Sequence, residues 1–440
     1  MKIDAIITGG TLLTMNPAYE VLEDCAILIK SGVIADIVPL KKAQKIGADK
    51  IIDAEDCLIT PGFVNTHSHL PMTYLRGLAD DLPLQRWLGE YIWPMEAKLA
   101  NESFVYDASV HGAAEMIKNG ITMTADMYFH SDETAKALKK AGMRALLSRV
   151  IINPKGDNIA EEIGFLDEMR ELHGEDGLIS WAIAPHAIYT CSGKIFEACF
   201  DYAKESGTIL HTHLSETKKE RDDCLDIQGL SPLFYLRKLG FEKAKCIFAH
   251  GVWLSDEEIE LLKDTSSTVS ICTQSNLKLT SGIAPLKALT EKGANFAFGT
   301  DGVASNNDLD ILSEASFTSQ LHKTINDDPQ FMPARETLAR LTIHGAKALG
   351  KEDIMGSIEI GKRADLLLIN HRNLQSANMY DPYSHLIYAI GKEQISHVMV
   401  EGKLLLEEGR LTTLNEDSII DRAEEYKTMI LREIKDVDKK

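Results

Sequence analysis

The sequence predicts an α/β protein, a (β/α)8 barrel carrying a small discontinuous β-sandwich domain built from both chain ends. Three observations predict it. Eight short apolar or β-branched runs fall between residues 57 and 300, capped helical stretches lie between them, and turn-rich β segments precede and follow. A chain of 440 residues has length for more than one domain at roughly 150 residues each.

The elements follow in order. Residues 5–7, 11–13, 26–29 and 33–38 read as strands separated by Gly9-Gly10 and Ser31-Gly32 turns. The same grammar returns at 364–369, 397–400 and 403–406 around a Glu401-Gly402 turn. Neither segment can bury a core alone, so the two are expected to pair with each other. The eight barrel strands are expected at 57–64, 121–125, 145–152, 179–184, 208–211, 246–249, 269–272 and 296–299. Ser192 opens one intervening helix that Gly207 closes, and Ser255 with Glu258 forms a capping box for another. The expected division is residues 1–56 and 356–414 for the two parts of the β-sandwich, 57–355 for the barrel and 415–440 for a charged C-terminal helix.

Composition narrows the function. Asp and Glu number 66 against 47 Lys and Arg, a net charge of −19 that repels a nucleic-acid polymer. No run approaches the ~18 apolar residues of a membrane span, and the first residues lack a cleavable signal pattern, so no membrane partner and a cytoplasmic location are expected. The seven cysteines are scattered without a Cys-x-x-Cys pair. Any metal therefore has to sit on histidines and carboxylates.

Barrel enzymes carry reactive residues at the C-terminal ends of their strands. Here five of the eight predicted ends carry one. The first ends in His67-Ser68-His69, two imidazoles spaced so that extended backbone turns both toward one centre. The fourth is followed by His186, the fifth by His211-Thr212-His213-Leu214-Ser215-Glu216, the sixth by His250 and the eighth by Thr300-Asp301-Gly302. His211 and His213 share a face. His213 is assigned to the metal for its place beside Glu216, and His211 to its support. Asp301 is a common helix-cap type, yet its place after the last strand favours metal contact. Glu216, three residues past His213, can reach a metal-bound water as general acid and base. His111, His130, His173, His322, His344, His371, His385 and His397 are read as structural. His173-Gly174-Glu175 has the His-x-Glu of zinc cytidine deaminases but lacks the Pro-Cys-x-x-Cys that must accompany it.

Pro61-Gly62-Phe63-Val64-Asn65-Thr66-His67-Ser68-His69, His213 to Glu216, His250 and Thr300-Asp301-Gly302-Val303-Ala304-Ser305-Asn306-Asn307 together resemble the amidohydrolase superfamily. More narrowly they resemble its methylthioadenosine/S-adenosylhomocysteine deaminases. The likeness spans essentially the whole chain, including Gly356-Ser357-Ile358-Glu359-Ile360-Gly361-Lys362-Arg363-Ala364-Asp365-Leu366 at the return into the β domain. It implies a TIM-type metal-dependent hydrolase barrel with one divalent metal per subunit, usually zinc with iron, cobalt or manganese as alternatives, on His67, His69, His213 and Asp301. It implies that Glu216, His250 and Asp301 carry the catalysis, hydrolytic deamination of a small nucleoside at purine C6. Glu216 and Asp301 also touch the substrate.

The resemblance further implies that Glu96, in Trp93-Pro94-Met95-Glu96, accepts the ribose hydroxyls, that His186 contacts the purine, and that Arg149 faces the 5′ end. It implies a homo-oligomer as well. Some relatives carry a second arginine soon after this one, whereas residues 153–162 hold only Lys155 as a cation. Methylthioadenosine, 5′-deoxyadenosine and adenosine are therefore expected to be used at least as well as S-adenosylhomocysteine. Trp87 and Leu82-Pro83-Leu84 are expected at the 5′ pocket or in the core. A guanine-type or triazine-type hydrolase is the nearest alternative, and a barrel reused for binding alone is a more distant one.

Overall fold

The structure is a computed structural model and describes residues 3–173 and 177–437. Seven strands open the chain: β1 (Ile3–Thr8), β2 (Thr11–Leu13), β3 (Val21–Leu22), β4 (Cys25–Lys30), β5 (Val33–Pro39), β6 (Ala48–Asp53) and β7 (Cys57–Pro61). The barrel strands are β8 (Phe63–His69), β9 (Ile121–Tyr128), β10 (Arg144–Ile151), β11 (Ile179–Pro185), β12 (Ile209–Leu214), β13 (Cys246–His250), β14 (Thr268–Ile271), β15 (Asn295–Phe298) and β16 (Asp301–Gly302). Four more return to the ends: β17 (Leu366–Asn370), β18 (Ile395–Val400), β19 (Lys403–Glu407) and β20 (Arg410–Leu411).

From β8 to β15 each barrel strand pairs in parallel with the next. β16 then pairs in parallel with β8, through Asp301 with Ser68 and Gly302 with His69. β15 and β16 are thus two halves of the eighth strand, and the ring closes. Side chains secure the seam: Thr66 donates to the Phe298 carbonyl at 2.8 Å, and Asn65 bonds both the backbone N–H and the hydroxyl of Thr300. Gly299 lets the two strands touch, because a Cβ there would lie 2.9 Å from the His67 backbone nitrogen. Strands covered on both faces read as unbroken apolar runs, and all eight residues of β9 are buried.

The expected helix boundaries hold, although the Ser192 hydroxyl makes no capping bond. Helix Gly193–Ser206 runs from Ser192 to a left-handed Gly207, and Ser255 and Glu258 exchange both bonds of the capping box at the start of helix Asp256–Lys263. The C-terminal helix covers Glu416–Val437 and buries Tyr426 against Tyr74 and Phe104.

The chain ends build two sheets, ordered β5-β4-β1-β6 and β20-β19-β18-β17-β7-β2-β3. Ala5, Ile7 and Ile27 of the first pack against Leu12, Ile59, Leu366 and Leu368 of the second, giving a sandwich. The run expected as one barrel strand at 57–64 is two strands. β7 pairs with β17 and β2 in the end sheet, and the barrel begins at Phe63. The break falls at Gly62, where a Cβ would sit 2.0 Å from the Thr122 hydroxyl. Arg144, 2% exposed, joins barrel and sandwich through bonds to Asp365 at 3.0 Å and Glu401 at 3.1 Å.

Candidate active site

The C-terminal strand ends converge on one buried cluster. Strand alternation sends His67 and His69 of β8 inward and turns Ser68 away to the Asp126 carboxylate at 3.0 Å. His67 Nε2 and His69 Nε2 each lie 3.4 Å from Asp301 Oδ1, and His69 Nε2 lies 3.3 Å from His213 Nε2. Ligand atoms of His67, His69 and His213 fall within 4.8 Å of one another, as do those of His67, His250 and Asp301. His211 does not reach this centre. It stands behind His67, its Nε2 2.9 Å from His67 Nδ1.

The donor set fits a divalent cation. His69 and His213 each donate from Nδ1 to a backbone carbonyl, of Met127 at 2.6 Å and His186 at 2.9 Å, which leaves each Nε2 with its lone pair toward the centre. His67 Nε2 is buried with no hydrogen-bond partner. Asp301 Oδ2 accepts from Ser275 at 2.6 Å and Ser305 at 3.0 Å, so Oδ1 remains for the cluster. Burial pulls the His67 imidazolium pKa down to about 4 and that of His186 to about 3, and holds His213 well below the usual range. These rings are neutral at pH 7, the form that binds metal.

Glu216 is buried beside the cluster, with Oε2 4.0 Å from His250 Nε2 and Oε1 3.4 Å from the Ser281 hydroxyl. Burial raises its pKa, partly opposed by His250. The same pairing works in reverse on His250: burial disfavours its cation, yet Glu216 and Asp301 outweigh burial and raise its pKa. Ser215, His250 and Asp301 all have positive φ, at 49°, 75° and 62°, a left-handed backbone that aims side chains off the strand ends. The Glu220 carboxylate secures the first of these turns by accepting from the backbone N–H of Ser215 at 3.0 Å and of Glu216 at 2.8 Å.

A cavity opens above the cluster, lined by His69, His213, Glu216, His250 and Asp301 at its floor. Glu96, His186, Trp87 and Leu84 line its walls. Glu96 is 8% exposed and accepts from the Tyr128 hydroxyl at 2.7 Å. Burial lifts its pKa to about 7 against that hydrogen bond. His186 holds its Nδ1 2.9 Å from the Thr190 hydroxyl.

Arg149 is not brought into the cavity. On β10 the cavity-lining parity belongs to Val150, so Arg149 points to the outer face. There its guanidinium lies over Phe165 at 4.9 Å, with Nε 3.4 Å from Glu162. Gly174 and Glu175 of the His173-Gly174-Glu175 triplet lie outside the described residues. Sequence reasoning missed Tyr128, Glu220, Ser275, Asn276 and Ser305. Two of them carry a signal, Glu220 in its capping-box spacing from Thr217 and Ser305 in its place within the 300–307 motif.

A closed (β/α)8 barrel with histidines and an aspartate gathered at its strand ends beside a buried glutamate defines a metal-dependent hydrolase. Residues 58–405 match the amidohydrolase family. The chain is 40% identical over 424 residues to the 5-methylthioadenosine/S-adenosylhomocysteine deaminase of Thermodesulfovibrio yellowstonii, covering 95% of this chain and 97% of that one. It is 40% identical over 420 residues to the 5′-deoxyadenosine deaminase of Methanobrevibacter smithii, covering 93% and 95%. A crystal structure of an adenosine deaminase from Xanthomonas campestris with bound zinc superposes with a TM-score of 0.94 at 36% identity, over 98% of this chain and 99% of that one. The chain belongs to the amidohydrolase family, in its methylthioadenosine/S-adenosylhomocysteine deaminase branch. It is a hydrolase that uses a divalent metal. Among the described residues no helix is long and apolar enough to cross a membrane.

Proposed function

We propose that this enzyme hydrolytically deaminates adenosine-type nucleosides at purine C6, releasing ammonia and the inosine analogue. Its substrates are 5′-methylthioadenosine, 5′-deoxyadenosine, adenosine and S-adenosylhomocysteine. The observation that carries the reading is a single cavity that holds both the Glu216 and cluster floor and the Glu96 carboxylate on its wall. A purine nucleoside needs both, a proton carrier at the ring and an acceptor for the ribose diol. The printed activities of the relatives support the same chemistry.

Zinc is the proposed metal, held by His67, His69, His213 and Asp301. Three imidazoles and a carboxylate suit it, and the Xanthomonas campestris structure contains it. When bound, the ion lowers the pKa of a water toward neutrality and so supplies the nucleophile. Glu216 takes the water's proton and passes it to the purine ring nitrogen N1. His250 and Asp301 orient the water toward C6, and His186 contacts the purine. Glu96 accepts the ribose hydroxyls while Tyr128 steadies its other bond.

The deciding experiment is ammonia release from methylthioadenosine, S-adenosylhomocysteine, 5′-deoxyadenosine, adenosine, adenine and guanine. Turnover of the nucleosides with little from free bases is expected, and reaction of free bases alone would overturn the reading. The walls near Trp87 and Leu84 are apolar and Arg149 is turned outward. Comparable kcat/KM is therefore expected for the three small 5′ groups and S-adenosylhomocysteine, and a large advantage for the latter counts against this account.

Glu96 adds a pH signature. Only the ionised carboxylate accepts two hydroxyls, and its pKa in the fold is about 7. Nucleoside KM is expected to rise as pH falls through about 7, because protonation removes an acceptor. Glu96→Ala is expected to lower nucleoside kcat/KM about 100-fold, given roughly 1.5–3 kcal/mol per hydrogen bond to a charged group. It also abolishes that pH dependence of KM. A KM flat between pH 5.5 and 8 in the unaltered enzyme would exclude the ribose role.

A further inference from the structure

The seventh strand, β14, ends without a reacting side chain, yet the segment after it touches three groups that handle the proton and the water. Helix Thr273–Lys278 begins there. From it the Ser275 hydroxyl bonds Asp301 Oδ2 at 2.6 Å, and Asn276 Oδ1 lies 2.8 Å from His250 Nδ1. The Asn276 carbonyl accepts from the Ser281 N–H at 2.8 Å, and the Ser281 hydroxyl reaches Glu216 at 3.4 Å. The segment is itself anchored. Glu314, fully buried, accepts from the backbone N–H of Thr273 and, at 3.2 Å, of Gln274, while Thr318 bonds the Thr273 hydroxyl at 2.7 Å.

We propose that Asn276 is a positioning residue of the reaction, its side-chain oxygen fixing the ring of His250 so that Nε2 faces the attacking water. The inference rests on the deaminase reading and adds to it a residue with no other assigned part. Asn276 is 1% exposed, and its Nδ2 has no hydrogen-bond partner, so the amide is present for its oxygen. With Nδ1–H donated to that oxygen, Nε2 is held on the side of Glu216. A ring free to rotate by half a turn loses both the tautomer and the direction. Groups that orient a metal-ligating histidine are worth about 10–100-fold, and the same scale is expected for His250 beside the cluster.

The experiment compares Asn276→Leu, of similar size but without the oxygen, with Asn276→Asp, which keeps the oxygen and replaces the unpartnered nitrogen. For Asn276→Leu, kcat on 5′-deoxyadenosine is expected to fall 10–100-fold with KM, bound metal and Tm unchanged. Asn276→Asp is expected to restore kcat to within about fivefold of the unaltered enzyme. Unchanged kcat in Asn276→Leu, or equal loss in both variants, overturns the proposal. Should Asn276→Leu not fold, Asn276→Ala takes its place in the same comparison with Asn276→Asp. The deaminase reading is judged separately, by turnover of the nucleoside panel in the unaltered enzyme.

Discussion

Glu216→Gln is expected to lower kcat by roughly 10³-fold, within the 10²–10⁴ contributed by a positioned acid and base. The amide has the shape of the carboxylate and can still accept from Ser281, so the cavity and KM should change little. What it cannot do is take a proton. The burial that makes Glu216 a stronger base than an exposed glutamate also excludes solvent groups that could replace it. The substitution acts on His250 too, because it removes the largest of the charges that hold that imidazolium pKa up. The measurement is kcat and KM on 5′-deoxyadenosine with metal content determined on the same samples. A loss below tenfold with full metal occupancy would show that another group carries the proton.

Removing the metal is expected to abolish turnover and to lower Tm. Without a cation, three imidazoles and a carboxylate share a pocket in which acceptor atoms stand 3.3–3.4 Å apart. Lone pairs at that separation repel in a buried site. A bound ion at 1,000 times its Kd stabilises the fold by about 4 kcal/mol. Dialysis against a chelator should therefore cost several degrees of Tm, and one equivalent of zinc per chain should restore both Tm and activity. An apoprotein of unchanged Tm, or one that still releases ammonia, contradicts the site. The same treatment of Asp301→Ala should give a smaller second loss, since one of the four ligands is already gone.

Much of this was legible because strand geometry is strict. A two-residue spacing at a strand end can serve only one centre, which made His67 and His69 readable, and the barrel's habit of placing chemistry at those ends located His186, Glu216, His250 and Asp301. Two misreadings have physical reasons. Residues 57–64 look like one strand because β7 and β8 share an apolar composition, and the boundary depends on the fit of Gly62 beneath Thr122. Arg149 was expected at the substrate, but a shift of one residue along a strand reverses its face, and Val150 holds the inward parity. Asn276 and Ser275 leave little trace in the sequence. Each works on a ring or carboxylate brought close by the closed barrel, and polar residues after a strand are common for many other reasons.

The seam between β16 and β8 has a consequence for the order of synthesis. His69 and Asp301 meet across it though 232 residues separate them in the chain, so three of the four candidate ligands, His67, His69 and Asp301, belong to the first and last strands of the barrel, with His213 on β12 between them. A growing chain carries the histidine pair long before the aspartate exists. At 5–20 residues per second, roughly 12–46 s pass between the pair and Asp301. During that interval the pair can grip an ion only loosely, and an ill-suited one can leave again. The full set of candidate ligands is assembled only when the ring closes.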